Sequence, residues 1–148
     1  MKKVILALAV IFFGNSVYSQ HTDVLLSSYF NVKNALVSGN SKAASEGIAS
    51  FSQALKTGAD FSQKAALLKA AEKLNKAGNS LEKQRAAFND VSTLMWKLVK
   101  DSDDVDQPVY YQYCPMKKAY WLSEEKEVKN PYYGSSMLTC GKVTETKN

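Results

Sequence analysis

The feature that most constrains the fold is a proline-free stretch between residues 22 and 101, in which apolar residues recur every three or four positions. That spacing places them along one face of an α-helix. Gly39, Gly58 and Gly78 divide the stretch into four segments, and each is predicted to end its helix in a left-handed cap, which glycine tolerates best. The four apolar stripes are Val24, Leu25, Tyr29, Val32 and Leu36; Ala44, Ile48, Phe51 and Leu55; Phe61, Ala65, Leu67, Leu68 and Leu74; and Leu81, Phe88, Val91, Met95 and Leu98.

Two helix starts carry a polar capping pattern. Asp60 precedes Gln63 by three residues, and Asn79 precedes Glu82 by three, so Asp60 and Asn79 are predicted to cap the third and fourth helices. Because the connections are short, neighbouring helices are expected to run antiparallel. Residues 20–101 are therefore predicted to form an up-down four-helix bundle, which makes the fold mainly α.

The remaining segment, residues 102–148, differs in composition. It contains all three prolines, both cysteines and six of the eight tyrosines, and an acidic run at residues 101–106 separates it from the helices. Residues 108–113, 119–122 and 136–143 are β-prone and are divided by turn signals. We predict a small β-hairpin or three-stranded cap that belongs to the same domain and docks on the end of the bundle.

The N-terminus is typical of an export signal. Lys2 and Lys3 precede an apolar run at residues 4–13, and small residues follow at Val17 and Ser19. This pattern predicts a signal peptide over residues 1–19 and a periplasmic or secreted protein. No second long apolar run follows, so stable membrane insertion after cleavage is not expected.

The charge pattern disfavours nucleic acid as a partner. Loss of Lys2 and Lys3 lowers the net charge from +5 to +3, and Arg85 is the only arginine. The lysines are scattered among acidic residues and form no basic patch of the kind that binds phosphate backbones.

Four sulfur-containing residues form two short motifs, Cys114-Pro-Met116 and Met137-Leu-Thr-Cys140. Thiolates and thioethers are soft ligands that select Cu(I) or Ag(I) over hard cations. The four residues Cys114, Met116, Met137 and Cys140 are therefore candidate metal ligands.

A disulfide is the competing interpretation of the same cysteines. Two cysteines in an exported protein often pair, and closing a loop of this length contributes about 3–4 kcal/mol in the chain-entropy model. The methionines would then only fill gaps among the tyrosines. Spacing alone favours this interpretation, although a disulfide does not explain why a methionine accompanies each cysteine.

Several short motifs occur together in this chain, at residues 113–116, 120–123, 130–134 and 137–141, with Gln84–Phe88 and Ser92 upstream. This set of motifs resembles a bacterial domain family of formally unknown function. Members occur alone in exported proteins or fused to the C-terminus of periplasmic adaptor proteins of copper/silver efflux systems. The resemblance implies that the four sulfur residues are metal ligands, and it places the metal site ahead of the disulfide.

A catalytic role is not predicted. The mature chain has no Cys-x-x-Cys motif and no histidine in its core that could act as a base. The expected function is to bind Cu(I) or Ag(I) for sequestration, delivery or efflux, with a metal-efflux adaptor or a metallochaperone as partner. The alternative is a structural or interaction module whose cysteines form a stabilising disulfide.

Overall fold

The computed structural model describes residues 16–148, with side chains from residue 21 onward. Its helices are α1 (Ser16–Ser38), α2 (Ser41–Thr57), α3 (Lys64–Asn75) and α4 (Leu81–Lys100); its strands are β1 (Val109–Cys114), β2 (Ala119–Ser123) and β3 (Lys142–Lys147), with a 3₁₀ turn at Gly134–Ser136. The predicted mainly α fold with a C-terminal β cap is confirmed. The predicted signal peptide lies outside the described residues except for residues 16–19, which begin α1.

The helices bury the predicted stripes against one another in chain order. All four predicted residues of α2 are buried, as are Phe88, Val91 and Met95 of α4. Two assignments were wrong: Val24 and Ala65 are exposed, because Leu26 and Ala70 lie on the inward faces of their helices instead. None of the helices in the described part of the chain combines the length and the apolar character that crossing a bilayer requires.

The helix ends differ in part from the prediction. Gly39 directly follows α1 and has a φ of 72°, as expected for a left-handed cap. Gly78 also has a positive φ, 54°, but it lies beyond the cap of α3, which is Lys76 in a right-handed conformation.

Gly58 has an extended φ of −81°. Position 58 requires glycine because there is no room for a side chain. A Cβ there would lie 1.1 Å from Nε2 of His21, and this nitrogen is hydrogen-bonded at 3.2 Å to the carbonyl oxygen of Ala54.

Both predicted N-caps were wrong. The third helix begins at Lys64 after Gln63, which makes no side-chain cap bond. Asp60 is exposed and instead forms an ion pair with Lys64. The fourth helix is capped by Ser80, whose hydroxyl accepts a hydrogen bond from the backbone N–H of Lys83.

The three strands form an antiparallel sheet in the order β2-β1-β3. The sheet packs along the side of α4 and α1, not on the end of the bundle as predicted. Trp96 of α4 stacks on Tyr111 of β1 with 4.7 Å between ring centroids, and Oδ1 of Asn89 accepts a 2.8 Å hydrogen bond from the backbone N–H of Tyr120. The sheet therefore contacts the side of α4 between Asn89 and Trp96.

Tyr29 joins α1, α4 and the sheet through one hydroxyl group. Its oxygen accepts a 3.0 Å hydrogen bond from the N–H of Leu122 and lies 2.6 Å from Oγ of Ser92. Since Ser92 itself donates to the carbonyl of Phe88, Tyr29 donates to Ser92. Burial raises the pKa of Tyr29 well above its usual value, so the hydroxyl stays protonated and keeps both bonds.

An ion pair between a buried lysine and an exposed carboxylate provides a second connection between α1 and the cap. Lys33 has only 1% of its surface exposed, and its Nζ lies 3.0 Å from a carboxylate oxygen of Glu124, the residue after β2. Burial alone would raise the pKa of Glu124, but hydrogen bonding to its own backbone amide and the charge of Lys33 hold that pKa below its usual value.

Replacing Tyr29 by Phe should lower the free energy of unfolding by about 1–3 kcal/mol, because the N–H of Leu122 loses its buried acceptor. Urea denaturation measures the change. The matched control is Tyr110→Phe, since Tyr110 is half-buried and its hydroxyl has no hydrogen bond within the described residues. Equal effects of the two substitutions would contradict the role of the Tyr29 hydroxyl.

Candidate metal centre

The structure brings the two cysteines together. Cys114 is the last residue of β1 and is fully buried, while Cys140 is half-buried and lies two residues before β3. Both are free thiols, and their sulfur atoms are 3.9 Å apart. The segment that follows β2 therefore returns to the end of β1 and places Cys140 beside Cys114.

Asn130 organises that returning segment. Its side-chain Nδ2 donates a 2.6 Å hydrogen bond to the carbonyl of Cys140, and its Oδ1 accepts hydrogen bonds from the backbone N–H groups of Tyr132 and Tyr133. Its own N–H donates to the carbonyl of Leu138. The side chain is fully buried, so these bonds hold the segment in one conformation.

This role of Asn130 was missed in the sequence. The sequence indicates a turn at this point, and residues 131–133 do form one, but the bonds of the Asn130 side chain to the backbone were not predicted. The signal that could have identified it is the Asn-Pro pair, because asparagine side chains commonly bond to backbone amides two residues later.

Gly141 allows Cys140 to approach the sheet closely. Its φ of 149° lies in a region that favours glycine. A Cβ on this residue would lie 2.8 Å from Cη2 of Trp121 and 2.9 Å from the carbonyl oxygen of Tyr113. Any larger residue would push the chain away from β1, and Cys140 with it.

The two methionines lie on the same two segments as the cysteines. Met116 is in the turn between β1 and β2 and is 65% exposed, and Met137 follows the 3₁₀ turn and is 38% exposed. The disulfide interpretation implied that both methionine side chains fill gaps among the tyrosines. The structure instead leaves both of them exposed. Methionine side chains are flexible, so both thioethers are free to reorient.

Within residues 16–148, no group of three or more His, Cys, Asp or Glu side chains is placed to hold a metal ion. A metal bound by Cys114 and Cys140 would therefore need additional ligands of another kind, and the thioethers of Met116 and Met137 are the candidates on the adjacent segments.

The protonation of the site bears on its chemistry. Burial raises the pKa of the Cys140 thiol, and its hydrogen bond and proximity to Cys114 raise this pKa further. The thiolate is the form that binds metals and attacks disulfides. At neutral pH the Cys140 sulfur is therefore protonated, and binding a metal must release that proton.

Replacing Gly141 by Ala should separate the two thiols and lower the free energy of unfolding. Gly78→Ala is the matched control, because Gly78 also has a positive φ but has open space around its Cβ position. The control should cost about 1 kcal/mol from backbone strain alone. Gly141→Ala should cost more in urea denaturation and should slow disulfide formation with diamide, whereas the control should leave that rate unchanged. Equal oxidation rates in both variants would contradict this role of Gly141.

Comparison with known proteins finds a family match for the helical part of the chain. The family model described as "Protein of unknown function (DUF3347)" matches residues 25–107, more than half of the chain. No curated protein and no solved structure matches the chain. The match ends before β1, so both cysteine motifs lie beyond it. The predicted membership of an uncharacterised family is confirmed, while the link to efflux adaptors stays a prediction. The chain belongs to the DUF3347 family of proteins of unknown function.

Proposed function

We propose that this protein binds a soft monovalent cation, Cu(I) or Ag(I), through Cys114 and Cys140, with Met116 and Met137 as further ligands. The observation that carries the proposal is the 3.9 Å separation of two free thiol sulfurs. After export through the signal peptide, the protein sequesters the ion or delivers it to a metal-efflux adaptor or a metallochaperone. It performs no catalytic step.

The distance between the sulfurs suits a shared metal ion. Two sulfurs bound at about 2.3 Å, as at zinc–thiolate sites, are about 3.8 Å apart at a tetrahedral angle and about 4.6 Å apart in a straight line. The 3.9 Å separation in this protein is close to the tetrahedral value. The pair therefore favours a three- or four-coordinate ion over a linear one, and such an ion requires ligands besides the thiolates.

The methionines fit the role of those further ligands. Thioethers are soft donors that select Cu(I) over zinc or calcium. Met116 lies two residues after Cys114 and Met137 three residues before Cys140, and both side chains are exposed. The flexible methionine side chains have the torsional freedom that coordination by their sulfurs would require.

A disulfide between the same residues is the second candidate. The 3.9 Å sulfur separation must shrink to about 2.05 Å for the bond to form, which requires only a small adjustment. The bond would close a loop between residues 26 positions apart and stabilise the cap by about 3–4 kcal/mol. In this case the protein would be a structural or interaction module, and metal uptake would not occur.

A Cu(I) titration of the reduced protein in competition with a chromogenic chelator tests the proposal. We expect one equivalent to bind, and we expect binding to be lost in the Cys114→Ser/Cys140→Ser variant. Met116→Leu/Met137→Leu should retain the thiols but bind at least about tenfold more weakly, because a ligand loss of 1.4 kcal/mol or more has that effect.

The matched control is Ser135→Ala/Ser136→Ala, which alters the same exposed segment without touching a sulfur and should bind Cu(I) like the unaltered protein. If the reduced protein takes up no Cu(I), and protein isolated from its own compartment is two hydrogens lighter than the dithiol form, the disulfide module replaces the metal-binding proposal.

The apparent Cu(I) affinity should weaken as the pH falls from 9 to 6. The pKa of Cys140 is raised, so protons compete with the metal throughout this range. Each displaced proton changes the dissociation constant by about tenfold per pH unit. Chelator competition at fixed free Cu(I) measures the slope. A flat profile would mean that only the thioethers bind the ion.

A further inference from the structure

A second candidate site is a cleft that none of the four sulfur residues lines. This cleft of about 730 Å³ opens between the first half of α4, the turn at residues 117–118 and the segment 132–136. Its volume falls within the range of about 300–1,000 Å³ that is typical of small-molecule sites. The metal-ion proposal makes no use of this cleft.

The cleft carries uncompensated positive charge. Arg85, Lys117 and Lys118 line it, and the only carboxylate among the lining residues is that of Glu82. Five ion pairs occur within the described part of the chain, and none includes any of these three cations. Most of the other lysines are scattered over the surface, so this local excess distinguishes the cleft from its surroundings.

Arg85 is held in place by the backbone. Its Nε and Nη2 donate hydrogen bonds of 2.8 Å to the carbonyls of Pro131 and Leu36, while Nη1 has no partner among the described residues. Because this guanidinium is already ordered, a ligand that binds it would cost little side-chain entropy there. Lys117 is exposed, and its Nζ lies 4.9 Å from the ring centroid of Tyr133.

Lys118 occupies a backbone conformation that favours glycine. Its φ is +50°, the only positive φ of a non-glycine residue in the described chain. This costs about 1 kcal/mol relative to glycine, and such strain is concentrated at functional sites. A charged side chain thus occupies a turn position where glycine would be more stable.

The rest of the wall is largely apolar. Leu81, Ala86, Ala119 and Tyr132 contribute to it. The hydroxyl of Tyr132 is already engaged with the carbonyl of Tyr120, so this residue presents mainly its ring to the cleft. A ligand that matches both parts of the wall would carry one anionic group and an apolar body.

We propose that this cleft binds a small amphipathic organic anion, with Arg85, Lys117 and Lys118 around the anionic group and Leu81, Ala86 and Tyr132 around the apolar body. The site is separate from the cysteine pair, and it takes an anion where the thiols would take a cation.

The test uses naphthalene-2-sulfonate as the probe and follows backbone amide signals of the purified, reduced, metal-free protein by NMR. We expect saturable shifts confined to residues 81–89, 117–119 and 132–136. Neutral 2-naphthalenemethanol and inorganic sulfate should each bind at least about tenfold more weakly, since each lacks one of the two contacts.

Two variants of equal net charge make the test specific. Lys117→Gln/Lys118→Asn should weaken binding of the sulfonate by about tenfold or more, because it removes two charge-assisted contacts; asparagine is chosen because it tolerates a positive φ. Lys42→Gln/Lys100→Asn alters two exposed lysines away from the cleft and should change binding less than twofold.

Three outcomes would overturn the proposal: no saturable shifts, equal binding of the neutral alcohol, or equal losses in the two lysine variants. The Cys114→Ser/Cys140→Ser variant should still bind the sulfonate. Failure of this site is therefore distinguishable from failure of the metal site.

Discussion

The position of the sheet on the helix bundle depends on the hydroxyl group of Tyr29. This tyrosine accepts from the backbone of β2 and donates to Ser92 of α4, and its ring stacks on Phe88 with 5.1 Å between centroids. The sheet therefore has a defined position along the helices. That position determines where the β1–β2 turn and the segment after β2 lie, and both candidate sites are built from these two pieces of chain.

The helices could be predicted because their signals are local. Apolar spacing located α1 to α4, and Gly39 forms the predicted left-handed cap, whereas Gly78 has the predicted positive φ but lies beyond the cap of α3. The caps at Asp60 and Asn79 were wrong because several polar residues near each helix start satisfy the same pattern, and tertiary contacts decide among them. Gly58 is glycine because His21 occupies the adjacent space, which no pattern within α2 reveals.

The candidate sites were predictable only in part. Residue types suggested that the cysteines and methionines belong together, and the structure places the two sulfurs of the cysteines side by side. This arrangement depends on Asn130 and Gly141. They act through buried hydrogen bonds to the backbone and through close packing between segments that are distant in sequence. The cationic cleft was not predicted at all, since Arg85 and Lys117 are brought together only when the sheet packs along the side of α4.

The ion pair between Lys33 and Glu124 has a consequence for how the chain assembles. Lys33 is 1% exposed, and the carboxylate that pairs with it lies 91 positions later in the chain. A buried cation without a partner is strongly destabilising. The inward position of Lys33 on α1 is therefore compatible with folding only when the segment after β2 is also in place, so the ion pair couples the packing of the first helix to that of the last third of the chain.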